Sequence, residues 1–147
     1  MFSPKSILVP TDFSEYSDKA LQQAIDIAKQ FKGKIYLLHV IGIVIPYMVD
    51  YSIDPRILNQ VENASETTSK KMLRDQLAKF PDSKSIEIID DIRRGVHYME
   101  ISNYQQEKKI DLIVISSHGK TGLLSHLIGS VAEKVLRSAK CSVLLVR

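Results

Sequence analysis

Short apolar runs alternate with helix-length segments along the chain, and this alternation is the sequence feature that most restricts the fold. The runs contain few polar residues, which is typical of strands buried on both faces of a parallel sheet. Parallel strands need long crossover connections, and the segments between the runs are long enough to form helical ones. The predicted strands are residues 7–10, 34–40, 85–92, 111–115 and 142–147.

The intervening helices are predicted from apolar residues that recur at helical spacing. In the first helix Ser14 or Ser17 can cap the start, and Gly33 supplies the C-terminal stop. The other helices are predicted at about residues 56–79, 97–108 and 129–139, with an irregular segment at residues 41–55.

This order of elements predicts an α/β protein with a three-layer architecture. We expect a doubly wound, five-stranded parallel sheet with helices on both faces and the Rossmann-like strand order 3-2-1-4-5. The third strand alternates in polarity and is therefore expected near an edge of the sheet. No repeat, low-complexity segment or linker interrupts the pattern, so residues 1–147 are expected to form one domain.

Composition and charge argue against several classes of protein. The chain has 20 Lys and Arg against 17 Asp and Glu, a formal charge of +3, and no block of like charges, which argues against a nucleic-acid partner. Cys141 is the single cysteine, so no internal disulfide can form, as is usual in a reducing cytoplasm. No apolar run approaches the ~20 residues of a membrane helix, and the first residues lack the pattern of a signal peptide. We therefore expect a cytoplasmic protein without a membrane partner.

The predicted strand order also predicts where a ligand binds. Open parallel sheets bind ligands beyond the carboxyl ends of the strands, where the strand order reverses. Here that point lies between the first and fourth strands. The turns that follow these strands, Pro10-Thr11-Asp12 and residues 116–122, are polar and built from small residues, so topology and composition indicate the same place.

The second turn has the chemistry of a phosphate-binding loop. Gly119 and Gly129 allow backbone N–H groups to approach an anion, and the helix after Gly129 adds unpaired donors at its N-terminus. Ser130 adds a hydroxyl and Lys120 a positive charge. The glycines can equally serve only to end a strand and begin a helix. A P-loop is not supported, because the position five residues before Gly119 is Val114 rather than glycine.

Other polar residues near these turns have both functional and structural interpretations. Asp12 can accept hydrogen bonds from a ligand or cap the first helix. His118 can touch a ligand or pack within its loop, and no Ser-His-Asp or paired-carboxylate arrangement surrounds it, so no catalytic residue is predicted. His39 is interpreted as a satisfied histidine at a strand end. His97 and His126 lack metal-ligand spacing with each other or with the cysteine, so no protein metal site is predicted.

Taken together, these segments resemble the universal stress protein family, from the first strand to the last. The matching segments are residues 10–14, 39–40, 116–119, 129–135 and 141–146. The nucleotide-binding branch of that family carries G-x2-G-x9-G-[S/T], in which Gly119, Gly129 and Ser130 fill the last three defined positions. Ser116 stands where the motif has its first glycine, and the family also has a branch that lacks the motif and does not bind ATP. The resemblance implies an adenine nucleotide alpha hydrolase-like fold.

By position, the resemblance implies a bound ATP or AMP, with Mg²⁺ able to accompany the phosphates. Asp12 and Val40 would flank the adenine, over a floor shaped by Pro10 and Thr11. Residues 116–119 would wrap the ribose and the first phosphate, and residues 129–131 would bind the phosphates. The implied binding residues are Pro10, Thr11, Asp12, Val40, Ile115, Ser116, His118, Gly119, Lys120, Gly129, Ser130 and Val131.

The resemblance further implies a nucleotide-responsive regulatory or signalling module of the stress response. It also implies a homodimer formed through the last strand, from Ser142 to Arg147, which is an apolar edge in the predicted order. Two alternatives stay open. One is a slow ATPase with His118 or Asp12 as the base. The other is a dimeric protein-interaction module that binds no nucleotide, which Ser116 in place of glycine would favour.

Overall fold

The computed structural model of the chain describes residues 1–43, 54–120 and 127–147, and within them five strands form one sheet. The strands are β1 (Ser6–Pro10), β2 (Lys34–Gly42), β3 (Ile88–Gly95), β4 (Leu112–Ser116) and β5 (Ser142–Val146). The helices are α1 (Glu15–Phe31), α2 (Pro55–Ala78), α3 (His97–Glu107) and α4 (Ser130–Ser138), with a 3-10 turn at Pro81–Ser85. All pairs are parallel and the order is β3-β2-β1-β4-β5, which confirms the predicted topology.

The central strand β1 builds a core on each face of the sheet, because successive side chains of a strand point to opposite sides. Ile7 belongs to a buried cluster with Leu21 of α1 and Leu73 of α2. Its neighbour Leu8 belongs to a second cluster, with Tyr104 of α3 and apolar residues of α4. Each of these side chains is at most 3% exposed, and burying one large aliphatic side chain contributes roughly 1.5–3 kcal/mol. The three layers therefore form as predicted.

The strands of the sheet are paired unevenly. β1 pairs with β2 along its whole length, and β4 does the same with β5. The two central strands pair only at Ile7↔Leu112 and Leu8↔Ile113, although β1 continues to Pro10 and β4 to Ser116. We call this short join the β1–β4 seam. Beyond the seam, at the carboxyl ends of β1 and β4, space is left between the two central strands.

Helix α1 begins where the sequence predicts. Ser14 is the N-cap, and its hydroxyl accepts a hydrogen bond from Ser17 N at 3.2 Å. The stop differs by one residue, because Lys32 takes the left-handed conformation with φ 52° and Gly33 follows it. Position 33 requires glycine because a Cβ there would lie 2.9 Å from the carbonyl oxygen of Pro4.

The prediction for the third strand is correct in position within the sheet and wrong in its bounds. Residues 81–85 form a 3-10 turn, and β3 begins three residues later than predicted. It also continues three residues further, through Arg93 and Arg94, because every residue from Ile88 to Gly95 pairs with β2. Two consecutive arginines are tolerated there because β3 is an edge strand. Gly95, at φ 154°, then turns the chain into α3.

Candidate functional site

A cavity of about 340 Å³ opens beyond the β1–β4 seam, at the carboxyl ends of the strands. All twelve residues that the sequence indicated lie in its wall. They are Pro10, Thr11, Asp12, Val40, Ile115, Ser116, His118, Gly119, Lys120, Gly129, Ser130 and Val131. The two polar turns therefore face each other across one space. Of the predicted glycine-containing loop, residues 121–126 lie outside the described part of the chain, as do residues 44–53 of the irregular segment.

The carboxylate of Asp12 connects the two loops of the cavity. Its Oδ1 accepts hydrogen bonds from Ser14 N at 3.0 Å and Ser14 Oγ at 2.5 Å, while its Oδ2 accepts one from Lys120 N at 2.9 Å. Burial alone would raise the pKa of Asp12, but the bonds from Ser14 and Lys120 outweigh burial and hold the pKa below its ordinary value. Asp12 is therefore an anion at neutral pH. We call residues 11–14, which present it, the Asp12 turn.

Gly119 is explained by the close approach of Asp12. A Cβ added at position 119 would lie 2.6 Å from Oδ2 of Asp12, closer than real Cβ contacts. The φ of Gly119 is not in the left-handed region, so the turn itself does not demand glycine here. The glycine lets the loop after β4 close onto the Asp12 carboxylate, a pairing that the sequence motif alone does not reveal.

The N-terminus of α4 forms the opposite wall of the cavity. Gly129 is the N-cap and provides no side-chain hydrogen bond, while its own N–H donates to Ser117 O at 2.7 Å. The first N–H groups of any helix lack an intrahelical partner and carry partial positive charge. Ser130 and Val131, at the start of α4, line the cavity, so these donors lie where an anion can be accepted.

Lys120 adds a formal positive charge to the same side of the cavity. Its side chain is exposed, and its Nζ lies 6.0 Å from the ring centroid of Phe13, at the outer limit of a cation–π contact. Lys120 therefore brings a positive charge to the cavity wall.

Ser116, which replaces the first glycine of the motif, is the last residue of β4. It pairs with Val146 of β5 and is 9% exposed. Its backbone has ordinary strand geometry, so glycine is not required here for conformational reasons. The serine side chain is part of the cavity wall.

Thr11 lines the cavity, but its hydroxyl is engaged elsewhere. Thr11 Oγ1 donates to Gln76 Oε1 at 2.9 Å and lies 3.0 Å from Ser17 Oγ. The same oxygen accepts a hydrogen bond from Phe13 N at 3.1 Å. Gln76 in turn donates to Asp18 Oδ1 at 2.8 Å. This buried network ties the Asp12 turn to α1 and α2, a structural role beyond the predicted shaping of the floor.

Four cavity residues were not predicted, and three of them follow a simple periodicity. Leu38 lies two residues before Val40 on β2 and so shares its face of the sheet. His97 and Ile101 are four residues apart on one face of α3. The unpredicted wall residues are Leu38, His97, Ile101 and Ala132, whereas Ser117 lies in the wall within the predicted segment 116–119.

His118 packs within its loop and also lines the cavity. Its Nδ1 lies 2.7 Å from Ser117 Oγ, and its ring is 5.4 Å from the ring of Tyr16. Its Nε2 is buried without a hydrogen-bond partner among the described residues. Ser117 Oγ is thus within hydrogen-bond reach of the imidazole, but among the described residues no third group bonds to Nε2 and orients the ring, so a complete triad arrangement is not formed by them.

The described part of the chain contains neither a metal-binding cluster nor a membrane-spanning helix. Residues 1–43, 54–120 and 127–147 hold no group of three or more His, Cys, Asp or Glu side chains arranged around a metal position. His126 lies outside the described residues. Of the helices that the structure describes, none has both the length and the apolar character needed to cross a bilayer.

The fold and the cavity define an open α/β protein with a crevice, lined by a helix N-terminus and a lysine, where the strand order reverses. The chain belongs to the universal stress protein family, whose sequence model matches residues 4–147. A universal stress protein from Methanocaldococcus jannaschii is 34% identical over 147 residues, which cover 97% of this chain and 82% of that protein. The resemblance predicted from the motifs is thereby confirmed.

Two solved structures bear out the fold. Universal stress protein UspA from Lactobacillus plantarum superposes with a TM-score of 0.82 at 25% identity, covering 97% of each chain. A universal stress protein in complex with cAMP superposes with a TM-score of 0.72 over 99% of this chain and 98% of that one. At 21% identity the second likeness concerns the fold.

Proposed function

We propose that the cavity beyond the β1–β4 seam binds an adenine nucleotide, ATP or AMP, and that occupancy regulates the protein in a stress response. The observation that carries the proposal is that a helix N-terminus without a side-chain cap, an exposed lysine and an anionic aspartate line one cavity at the switch point of the sheet. The cAMP complex of a relative with the same fold supports it, because that protein accepts an adenine nucleotide.

The cavity wall combines two kinds of residue that fit a nucleotide. Leu38, Val40 and Ile101, from β2 and α3, offer apolar surface that suits the faces of a base. Lys120 and the first residues of α4 suit phosphates. About 340 Å³ falls within the range of small-molecule sites. Mg²⁺ bound mainly by the phosphates would need few protein ligands, so its presence is compatible with this wall.

Ser116, in place of the first motif glycine, is the residue that would favour the alternative of a protein-interaction module that binds no nucleotide. Its strand-like backbone and its place at the end of β4 mean that the serine adds a small hydroxyl to the wall without altering the loop. We infer that this hydroxyl weakens or reorients ribose contacts and does not close the site. Slow ATP hydrolysis has no support of this kind among the described residues, because Asp12 is engaged by Ser14 and Lys120 and no group bonds to Nε2 of His118 to orient it as a base.

Nucleotide binding is tested first by mass spectrometry of small molecules released from the purified, denatured protein, and then by titration of a fluorescent ATP analogue. Lys120→Gln should weaken ATP binding by roughly threefold to tenfold, the effect of a partly exposed ion pair, and leave adenosine binding unchanged. Lys140→Gln is the matched control, because Lys140 is exposed and is not part of the cavity wall. Folded protein without saturable binding of ATP, ADP or AMP would refute the proposal, as would an equal effect of both substitutions.

We further propose that two copies of the chain associate through β5. This strand is an edge of the sheet, and Leu144 on it is 36% exposed. An apolar edge strand offers unpaired backbone groups and side chains to another chain. We accordingly propose a cytoplasmic homodimer of single-domain chains, without nucleic-acid or membrane partners. Light scattering on a size-exclusion column tests it, and a monomer at micromolar concentration would contradict it.

A further inference from the structure

We propose that His39 is a positioning residue that holds the Asp12 turn in the shape that presents its carboxylate to the cavity. His39 is not among the described residues that line the cavity, so it cannot act by touching the ligand there. Leu38 and Val40, on either side of it in β2, do line the cavity. Because side chains alternate along a strand, His39 points to the other face, behind the Asp12 turn.

His39 fixes the backbone at the start of the turn. Its Nδ1 lies 2.8 Å from the carbonyl oxygen of Thr11, to which it donates, since a carbonyl can only accept. The N–H of Thr11 donates in turn to Leu38 O at 2.8 Å. Both backbone groups of Thr11 are therefore held by consecutive residues of β2, immediately before Asp12.

His39 also supports the residue immediately after Asp12. Phe13 has a φ of 65°, in the left-handed region that a bulky side chain rarely adopts. Such a conformation persists only where surrounding contacts enforce it. The Phe13 ring lies 4.4 Å from the His39 ring, centroid to centroid, and Phe13 N donates to Thr11 Oγ1 at 3.1 Å. Asp12 thus stands between two residues that His39 touches.

The protonation state of His39 agrees with this role. Burial lowers the pKa of His39 below its ordinary value of 6.5, and the positive charge of Lys120 acts in the same direction. The Thr11 carbonyl and the carboxylate of Asp12 oppose them. The ring is therefore neutral near pH 7, with its single proton on Nδ1, the atom that the Thr11 carbonyl requires.

Loss of the His39 contacts should affect the hydrogen bonds that Asp12 accepts from two backbone N–H groups. If the turn loosens, the carboxylate loses its fixed position relative to Ser14 N and Lys120 N, which now bond to Oδ1 and Oδ2. The part of the inference that concerns ligand affinity rests on the proposed nucleotide function. The part that concerns the turn does not need a ligand.

The test compares His39→Asn with His39→Gln by amide hydrogen exchange on the ligand-free protein. Asparagine places its amide nitrogen near the position of Nδ1, whereas glutamine places it near that of Nε2, too far to replace the bond to Thr11. In His39→Gln we expect exchange at Ser14 and Lys120 to accelerate by about tenfold, the effect of losing one good hydrogen bond. Exchange at Ile113, in the buried strand β4, reports global stability and should stay unchanged.

Each result is decisive for the turn. Selective acceleration at Ser14 and Lys120 in either variant supports the positioning role, and the difference between the variants separates the hydrogen bond from the ring contact. No acceleration in both variants, or acceleration in parallel with Ile113, would overturn it. In the titration with the ATP analogue, His39→Gln should weaken binding about tenfold, and should have no such effect when Asp12 is already alanine. If no nucleotide binds at all, the proposed function fails and the exchange experiment still decides the role of His39.

Discussion

Replacing Gly119 with alanine tests the contact that closes the crevice. The added Cβ would lie 2.6 Å from Oδ2 of Asp12, so one of the two loops must shift. The carboxylate cannot rotate away freely, because two hydrogen bonds from Ser14 hold its other oxygen. The loop can withdraw only by stretching the bond between Lys120 N and Oδ2. The substitution should therefore remove that hydrogen bond.

The magnitude follows from two opposing contributions. A hydrogen bond to a charged group contributes roughly 1.5–3 kcal/mol, and the exposure of Lys120 places this one at the lower end of that range. Alanine in place of glycine gains about 0.4–1 kcal/mol through the unfolded chain where the backbone suits it, as the φ of Gly119 does. The net loss in free energy of unfolding should be about 1 kcal/mol, which lowers the Tm by roughly 2–4 °C for a chain near this length.

A double-mutant cycle of Gly119→Ala and Asp12→Ala, with the free energy of unfolding measured by urea denaturation, tests whether the contact with Asp12 explains Gly119. In an Asp12→Ala background the carboxylate that clashes is gone, so Gly119→Ala should stabilise the protein by about 0.4–1 kcal/mol. The sign of its effect therefore reverses. An equal destabilisation in both backgrounds would refute the explanation of Gly119. The result is independent of any ligand.

Three further perturbations test other parts of the structure. The pKa of His39 in the folded protein lies below its ordinary value of 6.5, so on acidification the unfolded chain binds a proton at this residue before the folded protein does. The free energy of unfolding should therefore fall as the pH drops below about 6.5, and the fall should end once the pH is below the folded-state pKa. His39→Asn should lack this decline in denaturant titrations between about pH 7.5 and about pH 5. The buried hydroxyl of Tyr104 has no hydrogen-bond partner among the described residues. Tyr104→Phe should therefore leave the free energy of unfolding unchanged or raise it by up to about 1 kcal/mol. A clear loss of stability in urea titration would show that the hydroxyl makes a hydrogen bond. Leu144→Lys on the edge strand β5 should yield monomers in light scattering, whereas a persistent dimer would exclude this strand as the interface.

The fold could be predicted because its signals are local. Buried parallel strands appear as uninterrupted apolar runs, and Ser14 caps α1 through contacts within one turn. The end of β3 could not be predicted in this way. Arg93 lies 5.1 Å from the ring of Tyr104 and is paired with Glu107, so its place in a strand depends on contacts with α3. Charged residues of this kind give no strand signal in the sequence.

The site was predictable to the extent that it lies at strand ends. Asp12 and Gly119 could each be selected from the turns that follow β1 and β4. Their contact could not, because it joins residues that are distant in sequence and depends on how the loops close. The bond of Thr11 to Gln76 spans 65 residues, and it depends on α2 packing beside α1. His97 and Ile101 were missed because the orientation of α3 over the crevice is set by tertiary packing.

The short β1–β4 seam divides the sheet into two mechanical units. Strands β3, β2 and β1 are joined along their lengths, as are β4 and β5, whereas the seam has two residue pairs. Tension applied across the sheet would therefore break few backbone hydrogen bonds at the seam before either unit yields. A molecule held between the Asp12 turn and α4 would touch both units and add resistance to their separation. The mechanical strength of the sheet would then report whether the crevice is occupied.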